Sequence, residues 1–392
     1  MVDIKKEVSV LQEELIALRR DFHMHPELGY EEHRTSQIVY DYLEKLGMEV
    51  AKVTKTGVVG LLRGSSDGKT VLLRADLDAL PQEEKTGVSY KSINKGVMHA
   101  CGHDGHTAML LIAAKILSEH KDEIKGNVKF VFQPNEEEAG ALNMINEGIL
   151  ESPKVDAAFG VHLWTPIESG KVGLASGPVM AAMEEFELSV IGKAGHTSAP
   201  HTAVDTILAS ANIIQSLQSI QTREIDPLLP IVIMVGKIQG GSGRNIIADK
   251  VSIGGTIRFL FKNEAVEKQI LLGKFERVIK GICEAMGVQY ELRFIPSNPS
   301  LMNNAKMTEL VRKACKETFE TEDNILEYKC MAGEDFAEFT HRVPSAFYFI
   351  GTGNAKKQTQ YPHHHPMFNI DEDTLSYGVE MHIRAVLNFL ND

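Results

Sequence analysis

Val128-Lys129-Phe130-Val131-Phe132-Gln133-Pro134-Asn135-Glu136-Glu137-Glu138 decides how this chain is read. A short, mostly apolar run stops at a proline and opens into three adjacent carboxylates. A run of that length with a breaker behind it reads as a buried strand. Three similar runs lie around it, Gly57 to Leu62, Thr70 to Ala75 and Ala157 to Val161. Helical stretches at about His106 to Ser118 and Ala139 to Leu150 separate several of them. Continuous apolar strands alternating with helices specify an α/β fold with a mostly parallel sheet covered on both faces. Ligands of such sheets bind beyond the carboxyl ends of the strands, and the polar clusters of this chain sit just there.

Toward the N-terminus, Val8, Leu11, Leu15, Leu18 and Phe22 form one helical stripe, and a second helix is expected from about Thr35 to Leu46, stopped by Gly47. Beyond Met180 the pattern changes. Phe186, Leu188 and Val190 alternate as a half-buried strand, and Val204, Ile207, Leu208, Ala211 and Ile214 mark a helical face. Strands at about Ile231 to Ile238 and Val251 to Phe259, a helix from about Glu264 to Met286, and a strand through Val288, Tyr290, Leu292 and Phe294 follow. Strand–helix–strand–strand–helix–strand is the split pattern of a ferredoxin-like α+β unit. It reads as an insertion of residues 181–293 into a domain made of residues 1–180 and 294–392.

The 392 residues are 43% hydrophobic, enough for substantial cores, and carry a formal net charge of -12. That balance speaks against nucleic acid or an anionic membrane as partner. No apolar run approaches the roughly 20 residues of a membrane span, and the N-terminus lacks a signal-peptide core. Cys101, Cys283, Cys315 and Cys330 are scattered, which suits a reducing cytoplasm better than a disulfide scaffold.

Four clusters carry chemistry. In Met98 to His106, Cys101 and His103 offer the thiolate and imidazole that suit Zn²⁺ and similar ions, and on an extended segment they would face the same way. In Gln133 to Glu138, one carboxylate can bind metal while its neighbour takes a proton from activated water. In Arg74 to Pro81, Asp78 can orient a ligating histidine. His162 and the run His363-His364-His365 complete the donor set. Each cluster alone has a plainer reading as a solvated loop or a structural side chain; their joint position at strand ends outweighs it.

The chain resembles the di-metal amidohydrolase and carboxypeptidase family that contains aminoacylases, hippurate hydrolases, indoleacetyl-amino-acid hydrolases and thermostable carboxypeptidases. The matching stretches are Arg19 to Leu28, Arg74 to Pro81, Met98 to His106, Phe132 to Glu137, Phe159 to His162, Gly192 to His201, Gly255 to Arg258, Gly333 to Phe336 and His364 to Phe368, in order along nearly the whole chain. The resemblance implies two divalent ions per subunit, Zn²⁺ or Mn²⁺ with Co²⁺ or Ni²⁺ also compatible, held by Cys101, His103, Glu137, His162 and His364. Glu136 would be the general base. His364 is preferred over His365 because the family motif places the ligand two residues before the proline. The inserted domain would be a lid and dimer platform in a homodimer or homotetramer. His196 would polarise the scissile carbonyl across the dimer, and Asn245 and Arg258 would hold the substrate. Cys101 stands where related peptidases place a bridging aspartate, Asn135 where alanine is common, and Ala248 where proline is common.

The implied activity is hydrolysis of the amide bond of an N-acyl amino acid, or of the C-terminal residue of a short peptide. Two rival readings stay open on the residues. Cys101 could be a thiol nucleophile with His103 or His106 as base, or the chain could be a non-catalytic metal-binding scaffold that kept the fold.

Overall fold

The computed structural model describes residues 3–392. The chain divides into two compact units. The larger takes in the residues up to Val179, Leu301–Lys329 and Glu334–Asp392; the smaller is Met180–Ser300 with Cys330–Gly333.

The larger unit is built on a sheet whose strands include β1 (Glu49–Val53), β2 (Gly57–Arg63), β3 (Ser66–Asp76), β4 (Lys125–Gln133), β5 (Ala157–Glu168) and β6 (Val172–Gly173). The spatial order is β1-β2-β4-β3-β5, then Ser345–Gly353, β6 and Ile325–Leu326. The four central strands, β4, β3, β5 and Ser345–Gly353, run parallel. The pairings of β1 with β2, of β2 with β4, and of β6 with Ser345–Gly353 are antiparallel. The central strands read as apolar runs because both their faces are covered. Phe130, Phe132 and Phe159 are fully buried, each contributing roughly 1.5–3 kcal/mol by leaving water.

The helices include α1 (Ile4–Val10), α2 (Gln12–Met24), α3 (His33–Lys45), α4 (His103–Glu119) and α5 (Ala141–Asn146). The single stripe expected from Val8 to Phe22 is carried by two helices that break at Leu11, while Val8, Leu15 and Phe22 still share the core. The helix expected from Ala139 to Leu150 is only α5, because Ala139 and Gly148 both take left-handed backbone conformations that end a right-handed helix. α4 starts three residues earlier than its apolar run and is buried over nearly its whole length, packing on β3, α2 and the closing helix Leu375–Leu390.

In the smaller unit, four antiparallel strands lie in the order Ile231–Gly240, Lys250–Phe259, Ala182–Ile191, Gln289–Pro296. Numbered along the chain this is 2-3-1-4, with the helices Thr206–Ser219 and Glu264–Met286 as the two crossovers. Phe186, Leu188 and Val190 point into its core while Glu185 and Glu187 point out, which is the period-2 alternation of a sheet covered on one face. Among the described residues no helix is long and apolar enough to cross a membrane.

Candidate metal centre and catalytic site

Parallel strands end at one edge, and the register brings the site together there. Asp76 at the end of β3 lies opposite Gln133 at the end of β4, and Arg74 lies opposite Gly160 of β5, two residues before His162. β5 does not stop at His162 but runs on to Glu168, so this histidine projects from within a strand. Cys101 and His103 do not share an extended segment. Gly102 takes φ +97 as the cap before α4, and His103 is the first residue of that helix. The left-handed turn, which glycine adopts without a Cβ penalty, is what brings the two side chains together.

His103 Nδ1 donates to the Asp78 carbonyl oxygen at 2.9 Å, and His162 Nδ1 donates to the Leu163 carbonyl oxygen at 2.8 Å. A carbonyl can only accept, so both rings carry a proton on Nδ1 and turn Nε2 toward the other donor atoms. His103 Nε2 is buried and has no hydrogen-bond partner; His162 Nε2 lies 3.6 Å from Cys101 Sγ. His364 Nε2 is 3.2 Å from Glu137 Oε1. The donor atoms of Cys101, His103 and His162 lie within 4.8 Å of one another, and so do those of Cys101, Glu137 and His364. Cys101 belongs to both trios. His103, Glu136 and Glu137 form a third such group.

Charge follows the same plan. Asp76, Asp78, Glu136, Glu137, Glu334 and Asp335 cluster around these donors, while Arg74 pairs with Asp76, Glu334 and Asp335. Burial, and then the charges of Glu334, Asp335 and Glu137, push the Glu136 carboxyl well above the usual range. Burial would lower His103, but Asp76 and Asp78 outweigh it and raise the imidazole to about 10. Burial and the neighbouring His106 and His363 hold His162 well below its ordinary value, so it is neutral. Burial, then Glu137 and Glu136, push the Cys101 thiol well above its ordinary value. This surplus of anionic groups around two imidazole Nε2 atoms and a thiol fits divalent cations by donor type.

Of the residues singled out in the sequence, Cys101, His103, Glu136, Glu137, His162 and His364 come together. His365 does not: its ring stacks on Tyr361 at 5.0 Å and its Nδ1 accepts the Met367 N–H at 3.1 Å. His196, Asn245 and Arg258 are on the smaller unit. His196 and Asn245 are neighbours there, since His196 pairs with Ile246 and the Thr197 N–H donates to the Asn245 carbonyl oxygen. Arg258 Nη1 donates to the Met331 carbonyl oxygen at 3.2 Å.

Three residues from these clusters take roles that the sequence reading did not assign. His106 is fully engaged, donating from Nδ1 to Asp76 Oδ1 at 2.6 Å and accepting the Leu163 N–H on Nε2 at 2.9 Å. Burial opposes ionisation of Asp76, but His103, His106 and Arg74 hold its carboxyl well below the usual carboxylate range. His363 stacks on Trp164 at 4.3 Å and donates from Nε2 to the Leu163 carbonyl oxygen at 2.9 Å. This steadies the loop in which His364 takes the left-handed φ of +63. The signal available for these residues was their place within the clusters already noted.

The model of peptidase family M20/M25/M40 matches residues 72–388. The chain belongs to that family. It is a hydrolase. Its similarity to thermostable carboxypeptidase 1 of Saccharolobus solfataricus is 40% identity, covering 99% of this chain and 98% of the relative. It is also 40% identical to the N-acetyl-L-cysteine deacetylase of Bacillus subtilis, covering 94% of this chain and 86% of the relative. Among solved structures, a dinuclear metal-binding peptidase of family M20 from Bacillus subtilis superposes with a TM-score of 0.85 at 32% identity, covering 98% of this chain and 99% of the other.

Proposed function

We propose that this family member hydrolyses the amide bond of N-acyl amino acids, or releases the C-terminal residue of short peptides, with Glu136 as general base. The observation that carries the reading is the convergence of the Nε2 atoms of His103 and His162 with Cys101, Glu137 and His364 beside Glu136. Cys101, His103, Glu137, His162 and His364 would hold two divalent ions, Zn²⁺ or Mn²⁺ in the first place and Co²⁺ or Ni²⁺ by the same donor chemistry. Bound there, such ions lower the pKa of water and polarise a carbonyl. The relatives named as a carboxypeptidase and a deacetylase support the substrate class.

Glu136 accepts the proton of the attacking water and returns it to the leaving amine. Burial among carboxylates raises its proton affinity, which suits a proton carrier, and positive charge bound beside it would lower that affinity. Asp78 keeps His103 Nε2 turned toward the other donors by fixing the ring through Nδ1. His196 polarises the scissile carbonyl of a second copy, and Asn245 and Arg258 hold the substrate's carbonyl or carboxylate. A homodimer is favoured by the smaller unit itself. Ile231–Gly240 is an edge strand with one side unpaired, and Met234, Ile238, Ile207, Leu208 and Ile246 are exposed on that unit. Four scattered cysteines favour the cytoplasm.

The thiol-nucleophile reading is disfavoured by the raised Cys101 pKa and by the engaged nitrogens of His106. A pure metal-binding scaffold would leave Glu136 without a task. The deciding experiment is turnover of a panel of N-acyl amino acids and dipeptides by the metal-loaded chain and by Glu136→Gln. The variant should lose at least ~10²-fold in kcat and keep its bound metal. Full activity in the variant would refute the base assignment.

A further inference from the structure

We propose that Glu32 and Asp335 are positioning residues that fix the turn carrying Glu136 and Glu137, each by accepting one backbone N–H at one end of it. The inference rests on the reading of Glu136 as base.

The turn is conformationally expensive. Asn135 at φ +56 and Ala139 at φ +62 flank Glu136–Glu138, and non-glycine residues in that region cost of order 1–3 kcal/mol each unless the surroundings hold them. The turn's own bonds, Ala139 N–H to the Glu136 carbonyl oxygen and Gly140 N–H to the Asn135 carbonyl oxygen, close the loop but do not anchor it. Carboxylates from remote segments do. Glu32 Oε1 accepts the Asn135 N–H at 3.0 Å, and Asp335 Oδ2 accepts the Ala141 N–H at 2.8 Å. Between them Asp78 Oδ2 accepts the Glu137 N–H at 3.1 Å.

Both anchors are themselves fixed. Glu32 is fully buried, and its other oxygen accepts the Thr56 hydroxyl. Asp335 accepts Arg74 Nη2 and both its oxygens accept Gln133 Nε2. Among the described residues no cation pairs with Glu32. A buried carboxylate without a counter-charge is a poor stability device, so its place under the turn points to a task. Gly29 completes the seat: a Cβ there would lie 2.0 Å from Asn135 Oδ1.

The two anchors differ in a way that separates this role from general structure. In Glu32→Gln the amide oxygen can still accept the Asn135 N–H, while the new NH₂ faces a threonine hydroxyl that can turn and accept. In Asp335→Asn either orientation points NH₂ at an N–H donor, Ala141 and Gln133 on one side or Arg74 and Gln133 on the other.

The test measures kcat and KM, bound metal, and deuterium uptake of residues 133–142 in the full chain. Glu32→Ala and Asp335→Ala should lower kcat up to ~10²-fold, the effect of misplacing a catalytic group by about 1 Å. KM should change little, and uptake over 133–142 should accelerate. Glu32→Gln should recover most of kcat and protection; Asp335→Asn should recover neither. Wild-type kcat and uptake in both alanine variants would overturn the proposal, and so would Glu32→Gln being as damaged as Glu32→Ala. If Glu32→Ala does not fold, Glu32→Asp carries the test by drawing the carboxylate back one methylene from the Asn135 N–H: lowered kcat with faster uptake supports the proposal, and wild-type values overturn it. An active Glu136→Gln would remove the base reading alone, since the uptake measurements test the anchoring independently.

Discussion

Replacing Arg74 with methionine removes the one guanidinium that links three of the site's buried carboxylates. Arg74 is 1% exposed and bonds Asp76 Oδ2 at 2.7 Å, Asp335 Oδ1 at 2.8 Å, Gln133 Oε1 at 2.9 Å and Glu334 Oε1 at 3.1 Å. Without it Asp76 keeps His106, and Asp335 keeps Gln133 and Ala141. Glu334 keeps the Phe336 N–H. The loss is that of one partner in a buried ionic cluster, about 3–5 kcal/mol. The pH dependence carries a sign. Burial pushes the Asp335 carboxyl up to about 8, with Arg74 opposing and Glu334 adding. An acid whose folded pKa exceeds its unfolded value, about 4, contributes stability that is complete below that value and lost as pH rises through the folded pKa. In the parent that loss ends near pH 8, whereas without Arg74 the folded value lies higher and the loss continues. The deficit should therefore widen above pH 8, by up to ~1.4 kcal/mol per pH unit. Trp164 is the chain's one tryptophan and lies in the larger unit, so its fluorescence during urea unfolding of the chelator-treated protein reports on the right region. A loss under about 1 kcal/mol, or a deficit that shrinks above pH 8, would refute this account of the cluster.

The remaining expectations are simpler. His364→Ala should weaken metal loading at least ~10-fold, measured by metal analysis after dialysis, while His365→Ala should leave it intact because that ring is engaged with Tyr361 and Met367; equal losses would contradict the assignment of His364. Lys129→Met should cost about 2–3 kcal/mol in urea unfolding, because Lys129 Nζ donates to the carbonyl oxygens of Ile149, Glu151 and Pro153 at 2.8, 2.8 and 3.0 Å and leaves all three unpaired when removed; an unchanged midpoint would count against it. Met234→Glu should dissociate the proposed dimer in sedimentation velocity, and a variant that still sediments with the parent would move the interface away from the Ile231–Gly240 edge.

Much of this protein is legible in one dimension. The strand runs at Thr70 to Ala75, Val128 to Phe132 and Ala157 to Val161, the helix from Glu264 to Met286 and the alternation of Phe186, Leu188 and Val190 all follow from local periodicity, because each residue's burial repeats with its own element. The motifs at the strand ends likewise name Cys101, His103, Glu136, Glu137 and His162 as neighbours in chemistry. Tertiary structure alone decided which ring nitrogens face the site, since Nδ1 of His103 and of His162 is held by the carbonyls of Asp78 and Leu163. It set His364, which the family motif already preferred over His365, against Glu137, and it spent both nitrogens of His106 on Asp76 and Leu163. The anchors of the Glu136 turn were invisible for the same reason. Glu32 and Asp335 reach it across 103 and 194 residues of chain, and a hydrogen bond depends on distance and direction in space, which no local pattern of residue types records.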